Sequence, residues 1–122
     1  MKGLPREARA VWAELVGRPS LEPDALRDAL SAYRQQIQVE AERRELFDHA
    51  LGLKVAGGCE ALLGRWEELS EEGRTVAQAA VQYFLRQHDG EDDFESVTGF
   101  DDDAAVLNAA LVQLGFDDLR LD

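Results

Sequence analysis

All three prolines of this chain, Pro5, Pro19 and Pro23, lie near its start. From Asp24 onward every residue keeps a backbone N–H, and nothing forbids helix on that ground. The residue types agree. Ala, Leu, Glu, Arg and Gln are common and β-branched residues are few, a mixture that favours helix over strand. The expected fold class is all-α, a single-domain bundle of about five helices over residues 1–122. A chain of 122 residues fits one domain and buries enough apolar surface to fold without staples.

Apolar spacing places the helices. Leu4, Ala8, Val11, Trp12 and Leu15 mark a first helix from Pro5 to Val16, stopped by Gly17 and Pro19. Ser20-Leu21-Glu22-Pro23 opens a second, with Leu26, Leu30, Tyr33 and Ile37 as its stripe. The apolar face resumes at Leu46, Phe47, Ala50 and Leu51 after a charged stretch, so one long helix reaching about His49 is expected. Gly52, Gly57, Gly58 and Gly64 punctuate the third segment. Each glycine costs about 1 kcal/mol against alanine inside a helix. Either they let helix backbones approach closely, or the Gly57-Gly58 pair breaks the helix. The second reading is preferred, giving a helix from about Gly58 to Leu69.

Ser70 suits an N-cap, with Glu71 and Glu72 in the first turn where the helix dipole favours acids. Val76, Ala80, Tyr83, Phe84 and Leu85 carry that helix to about His88. A polar connection follows to Asp101. The last helix begins at Asp101–Asp103, shows Ala104, Leu107, Leu111 and Leu114 on one face, and stops at Gly115. The tail FDDLRLD is expected to fray.

Charge is unevenly placed. The formal net charge is −12. Residues 1–69 hold 10 Lys/Arg against 12 Asp/Glu, whereas residues 70–122 hold 3 against 13. Such a C-terminal part repels nucleic acid and anionic membrane surfaces and attracts a basic partner or a cation. Asp89, Glu91, Asp92, Asp93, Glu95, Asp101, Asp102 and Asp103 put eight carboxylates within fifteen residues. Three readings compete for them: a solvated acidic loop whose last aspartates cap a helix, a surface for a basic protein, and a divalent-cation site drawn from Asp89, Glu91, Asp93, Asp102 and Asp103. The EF-hand pattern fails, because a loop starting at Asp89 puts Phe94 where glycine is needed and Phe100 where glutamate is needed. Phe94, Val97 and Phe100 either tuck under the loop or serve as exposed anchors.

Catalytic signals are absent. His49 and His88 have no nucleophile beside them in sequence. Cys59, the only cysteine, reads as a small buried residue next to Glu60, whose charge would raise its pKa. No GxxxxGK phosphate loop occurs. Arg43 and Arg44 lie between Glu42 and Glu45 and read as surface ion pairs. A single cysteine and no apolar signal segment fit a cytoplasmic protein without disulfides.

The stretch YFLRQHDGEDDFESVTGFDDDAAVL, Tyr83 to Leu107, resembles the core of the YkvA-like family of domains of unknown function. Tyr83, Leu85, Asp89, Asp93, Phe94, Gly99, Asp102, Asp103 and Ala104 fall on the family pattern without gaps, over about a fifth of the chain. Gln87, Asp92 and Ser96 stand where the family has prolines, and His88, Gly90, Glu91, Glu95 and Thr98 replace apolar positions. Family members often associate with membranes, which this polar loop argues against. The resemblance implies a helical hairpin with a structured turn in which Asp89, Asp93, Asp102 and Asp103 have structural jobs. It implies no activity.

The expected function is a non-enzymatic interaction or adaptor module without a cofactor. Glu91, Asp92, Asp93, Phe94, Glu95 and Phe100 would meet a basic protein partner. The alternatives are a cation-binding regulatory domain using residues 89–103, an enzyme with a dispersed site such as His49, Glu67 and His88, and a homodimer through the Leu26–Ile37 stripe.

Overall fold

The structure is a computed structural model that describes residues 3–18, 21–43, 49–86 and 100–121, except for the side chains of Glu7, Arg43, His49 and Arg86. Five α-helices form an all-α bundle: α1 (Arg9–Val16), α2 (Pro23–Arg43), α3 (His49–Gly64), α4 (Glu71–Arg86) and α5 (Asp101–Leu114). Short 3₁₀ turns at Arg6–Ala8, Trp66–Glu68 and Asp117–Leu119 join or finish them. Among the described residues no helix is long and apolar enough to cross a membrane.

The second helix is described as far as Arg43, and Arg44, Leu46 and Phe47 lie outside the described residues. His49, expected at the end of that helix, belongs to α3 instead. The two helices run antiparallel: Arg27 Nη2 donates to the Leu63 carbonyl at 2.9 Å, and Arg34 pairs with Glu60. The α2 stripe therefore faces inward. Leu26, Leu30, Tyr33 and Ile37 are buried against neighbouring helices. A dimer seam through Leu26–Ile37 is thus overturned, because that face is used up inside one chain.

The expected break at Gly57-Gly58 is also overturned: α3 runs unbroken through Gly52, Gly57 and Gly58. Packing supplies the reason. A Cβ on Gly52 would lie 2.7 Å from Phe100 Cε2, and one on Gly58 would lie 2.7 Å from Leu107 Cδ2. These two glycines are notches that receive Phe100, just before α5, and Leu107, midway along it. Phe100 is 1% exposed and extends an aromatic row, with ring centroids 6.1 Å from Phe84, itself 4.9 Å from Tyr33.

Gln78 on α4 is fully buried. Its Oε1 accepts from the Leu21 N–H at 2.7 Å and its Nε2 reaches the Arg18 carbonyl at 3.5 Å. One amide thus holds both ends of the α1–α2 connection, satisfying backbone groups that no helix ladder serves. The Ser70 cap forms as expected, its Oγ accepting from the Gly73 N–H at 3.1 Å.

As far as Leu121 the tail is held against the bundle, contrary to the expected fraying. Gly115 takes a left-handed φ of 79° and stops α5. Beyond it, the Asn108 amide binds both backbone groups of Leu121, accepting from its N–H at 2.7 Å and donating to its carbonyl at 3.1 Å. Arg65 clamps Asp118 through two bonds of 2.5 and 3.2 Å and lies over the Phe116 ring at 5.0 Å.

Candidate functional site

The acidic residues singled out in the sequence divide three ways. Asp89, Glu91, Asp92, Asp93, Phe94, Glu95 and Val97 lie outside the described residues, as does His88. Phe100 is buried in the notch of Gly52, so its expected role as a partner-facing anchor is overturned. Asp101, Asp102 and Asp103 begin α5. The N-cap position belongs to Phe100, which makes no side-chain capping bond. The aspartates sit one step further in, where the dipole still favours their charge.

Asp102 and Asp103 part company. Asp102 is exposed, whereas Asp103 is 1% exposed and faces the core. Successive helical positions point about 100° apart. These two therefore do not converge as ligands of one cation, and no group of three or more His, Cys, Asp or Glu could hold a metal among the described residues. Asp103 is felt instead by Cys59. Burial pushes that thiol well above its ordinary range, and the Asp103 and Glu60 carboxylates push it further. A thiol so placed stays protonated and inert. Glu67 of the dispersed catalytic set is exposed and lies 3.6 Å from Arg74.

Two clefts flank the segment that leads into α4. One, of about 230 Å³, is lined by Leu21, Glu22, Pro23, Trp66, Glu71 and Arg74. It already holds its own cation: Arg74 stacks over Trp66 at 5.5 Å and its Nε donates to the Trp66 carbonyl at 3.2 Å. The other, of about 400 Å³, lies between the start of α4 and the end of α5. Leu69, Val76, Leu114 and Phe116 give it an apolar lining, with Glu68 and Glu72 as its acids. Gly73 lets its walls close up, since a Cβ there would meet Leu69 and Leu114 side chains at 3.3 Å.

This second cleft escaped the sequence reading. It joins segments some 40 residues apart, and the only local hint was a glycine one turn inside a well-capped helix. Its acids differ from some nearer the N-terminus, though Glu22 and Asp28 are also exposed without an ion pair among the described residues. Glu14, Asp24 and Glu60 pair with Arg18, Arg27 and Arg34. Glu68 and Glu72 have no ion pair among the described residues, and no Lys or Arg lines their cleft.

Comparison with family models, with curated proteins and with solved structures gave no match for this chain. The YkvA-like resemblance rests on the residues quoted for it.

Proposed function

We propose that this chain is a non-enzymatic interaction module that meets a basic protein through the acidic surface of its C-terminal half. The carrying observation is where charge goes uncompensated. Glu68, Glu72, Asp101 and Asp102 are exposed without an ion pair among the described residues. Although Glu22 and Asp28 share that state, only the C-terminal part has so few basic residues, 3 against 13 acids in residues 70–122. Uncompensated surface charge of one sign steers an oppositely charged partner and speeds encounter more than it sets final affinity. The buried, protonated Cys59 gives no support to a thiol enzyme. A cytoplasmic location and kinship with the YkvA-like family are part of the same proposal.

The test is retention of cell-extract proteins on the immobilised chain, followed by a salt gradient. Retained proteins should be basic and should elute steeply as salt rises. An Asp92→Asn, Asp93→Asn, Glu95→Gln variant asks whether the 89–103 segment contributes. Retention of neutral or acidic proteins, or retention indifferent to salt, would overturn the proposal.

A further inference from the structure

We infer that the cleft between the start of α4 and the end of α5 is a docking groove for a basic segment of a partner protein. An arginine or lysine of the partner lays its aliphatic stem on Leu69, Val76 and Leu114, and its cationic head meets Glu68 and Glu72. This inference rests on the interaction-module reading and names its site.

Three observations select that occupant. The cleft holds about 400 Å³, within the range of pockets that enclose a ligand group and enough for a long side chain. Its lining pairs apolar side chains with two carboxylates, the combination that suits Lys and Arg, whose stems bury while their heads stay polar. No Lys or Arg lines the cleft, although Arg65 feels the charge of Glu68. Arg65, over Phe116 of the lining, is bound by Asp118, and Arg74 is stacked on Trp66 in the other cleft. Other ligand classes fit less well. Two carboxylates fall short of the six to eight oxygens that calcium takes. Nucleic acid is repelled by the same charge that attracts a basic peptide. A purely apolar ligand would leave two carboxylates facing it without a partner.

The probe is an acetylated, amidated ten-residue peptide alternating arginine and leucine, beside an equally charged peptide alternating arginine and serine. Binding to the full chain is read by fluorescence anisotropy, with circular dichroism melting to show that each variant is folded. Wild type should bind the leucine peptide more tightly than the serine peptide. Glu68→Gln with Glu72→Gln should weaken the leucine peptide about tenfold, the scale of a lost charge-assisted bond. Gln113→Lys, at an exposed position lining the cleft, should weaken it similarly by placing a competing cation inside while both carboxylates remain. The control is Asp101→Asn with Asp102→Asn, which removes the same charge about 20 Å away along α5.

Weakening confined to the cleft variants supports the groove. Equal weakening by the control pair overturns the groove but leaves the acidic-surface reading standing. Equal affinity for both peptides overturns the apolar part of the site. Failure of both peptides to bind wild type overturns both the groove and the reading it rests on.

Discussion

Replacing the glycines of α3 by alanine should split them into opposite classes. Alanine gains about 1 kcal/mol over glycine in a helix interior. At Gly57 nothing lies within 4 Å of the added Cβ, so that gain is kept. With about 2.1 cal/mol/K of unfolding entropy per residue, a chain of this length changes Tm by about 4 °C per kcal/mol. Gly57→Ala should therefore raise Tm by about 3–4 °C. At Gly58 the Cβ meets the tip of Leu107 at 2.7 Å. Leu107 is 1% exposed and has little room to yield. Overpacking costs about 1–3 kcal/mol, which cancels or outweighs the gain. At Gly52 three atoms of the rigid Phe100 ring stand at 2.7–3.0 Å, and the ring cannot step aside by a rotamer hop. Gly52→Ala should lower Tm by about 4–8 °C, taking the upper part of the same overpacking range. Thermal and urea unfolding followed by circular dichroism give the order Gly57→Ala, wild type, Gly58→Ala, Gly52→Ala. A Gly52→Ala variant as stable as Gly57→Ala would refute the reasoning, and the burial of Phe100 with it.

Three further outcomes follow from single contacts. Gln78→Ala should destabilise by about 1–3 kcal/mol, read by urea unfolding, because it strands the Leu21 N–H and the Arg18 carbonyl. Asp118 is held below the ordinary carboxylate range chiefly by its hydrogen bond from Arg65. A depressed folded-state pKa contributes stability above the unfolded value near 4 that is lost as pH falls through the folded one. Tail docking should thus weaken only in strong acid, and the Asp118 carboxyl titration followed by NMR should move up in Arg65→Gln. Cys59 should resist a thiol reagent at mildly alkaline pH in the native chain and react at once in urea; fast native labelling would refute its burial.

Legibility in the sequence followed the range of the causes. The stripe Leu26, Leu30, Tyr33, Ile37 is a local pattern and identified a buried helix face directly. It did not say whether the covering surface comes from the same chain, which is why a dimer seam was an open reading. The Gly57-Gly58 expectation failed because propensity is local, whereas Phe100 and Leu107 come from some 50 residues further on. The tail was misjudged for the same reason: Asn108 and Arg65 hold it, and neither is adjacent. Charge asymmetry was plain in the sequence. Which acids already had partners was not, because that depends on the antiparallel meeting of α2 with α3 and on the docking of the tail.

Separating acids by their structural employment leads to a final expectation. Like charges gathered on one surface repel and destabilise the compact state. Some of these carboxylates give something back: Asp118 anchors the tail to Arg65, and Asp101, Asp102, Glu71 and Glu72 sit in first turns that favour them. Glu68 does neither. It lies in the 3₁₀ turn before α4, between Glu67 and Glu72, exposed and without an ion pair among the described residues. Glu68→Gln should therefore leave Tm unchanged or raise it slightly, while Asp118→Asn lowers it. The same Glu68→Gln change should weaken the arginine–leucine peptide. A side chain that costs the fold a little and serves a ligand is the signature of a site. A clear fall in Tm on Glu68→Gln would instead mark a structural residue and remove the argument that its charge is held in reserve for a partner.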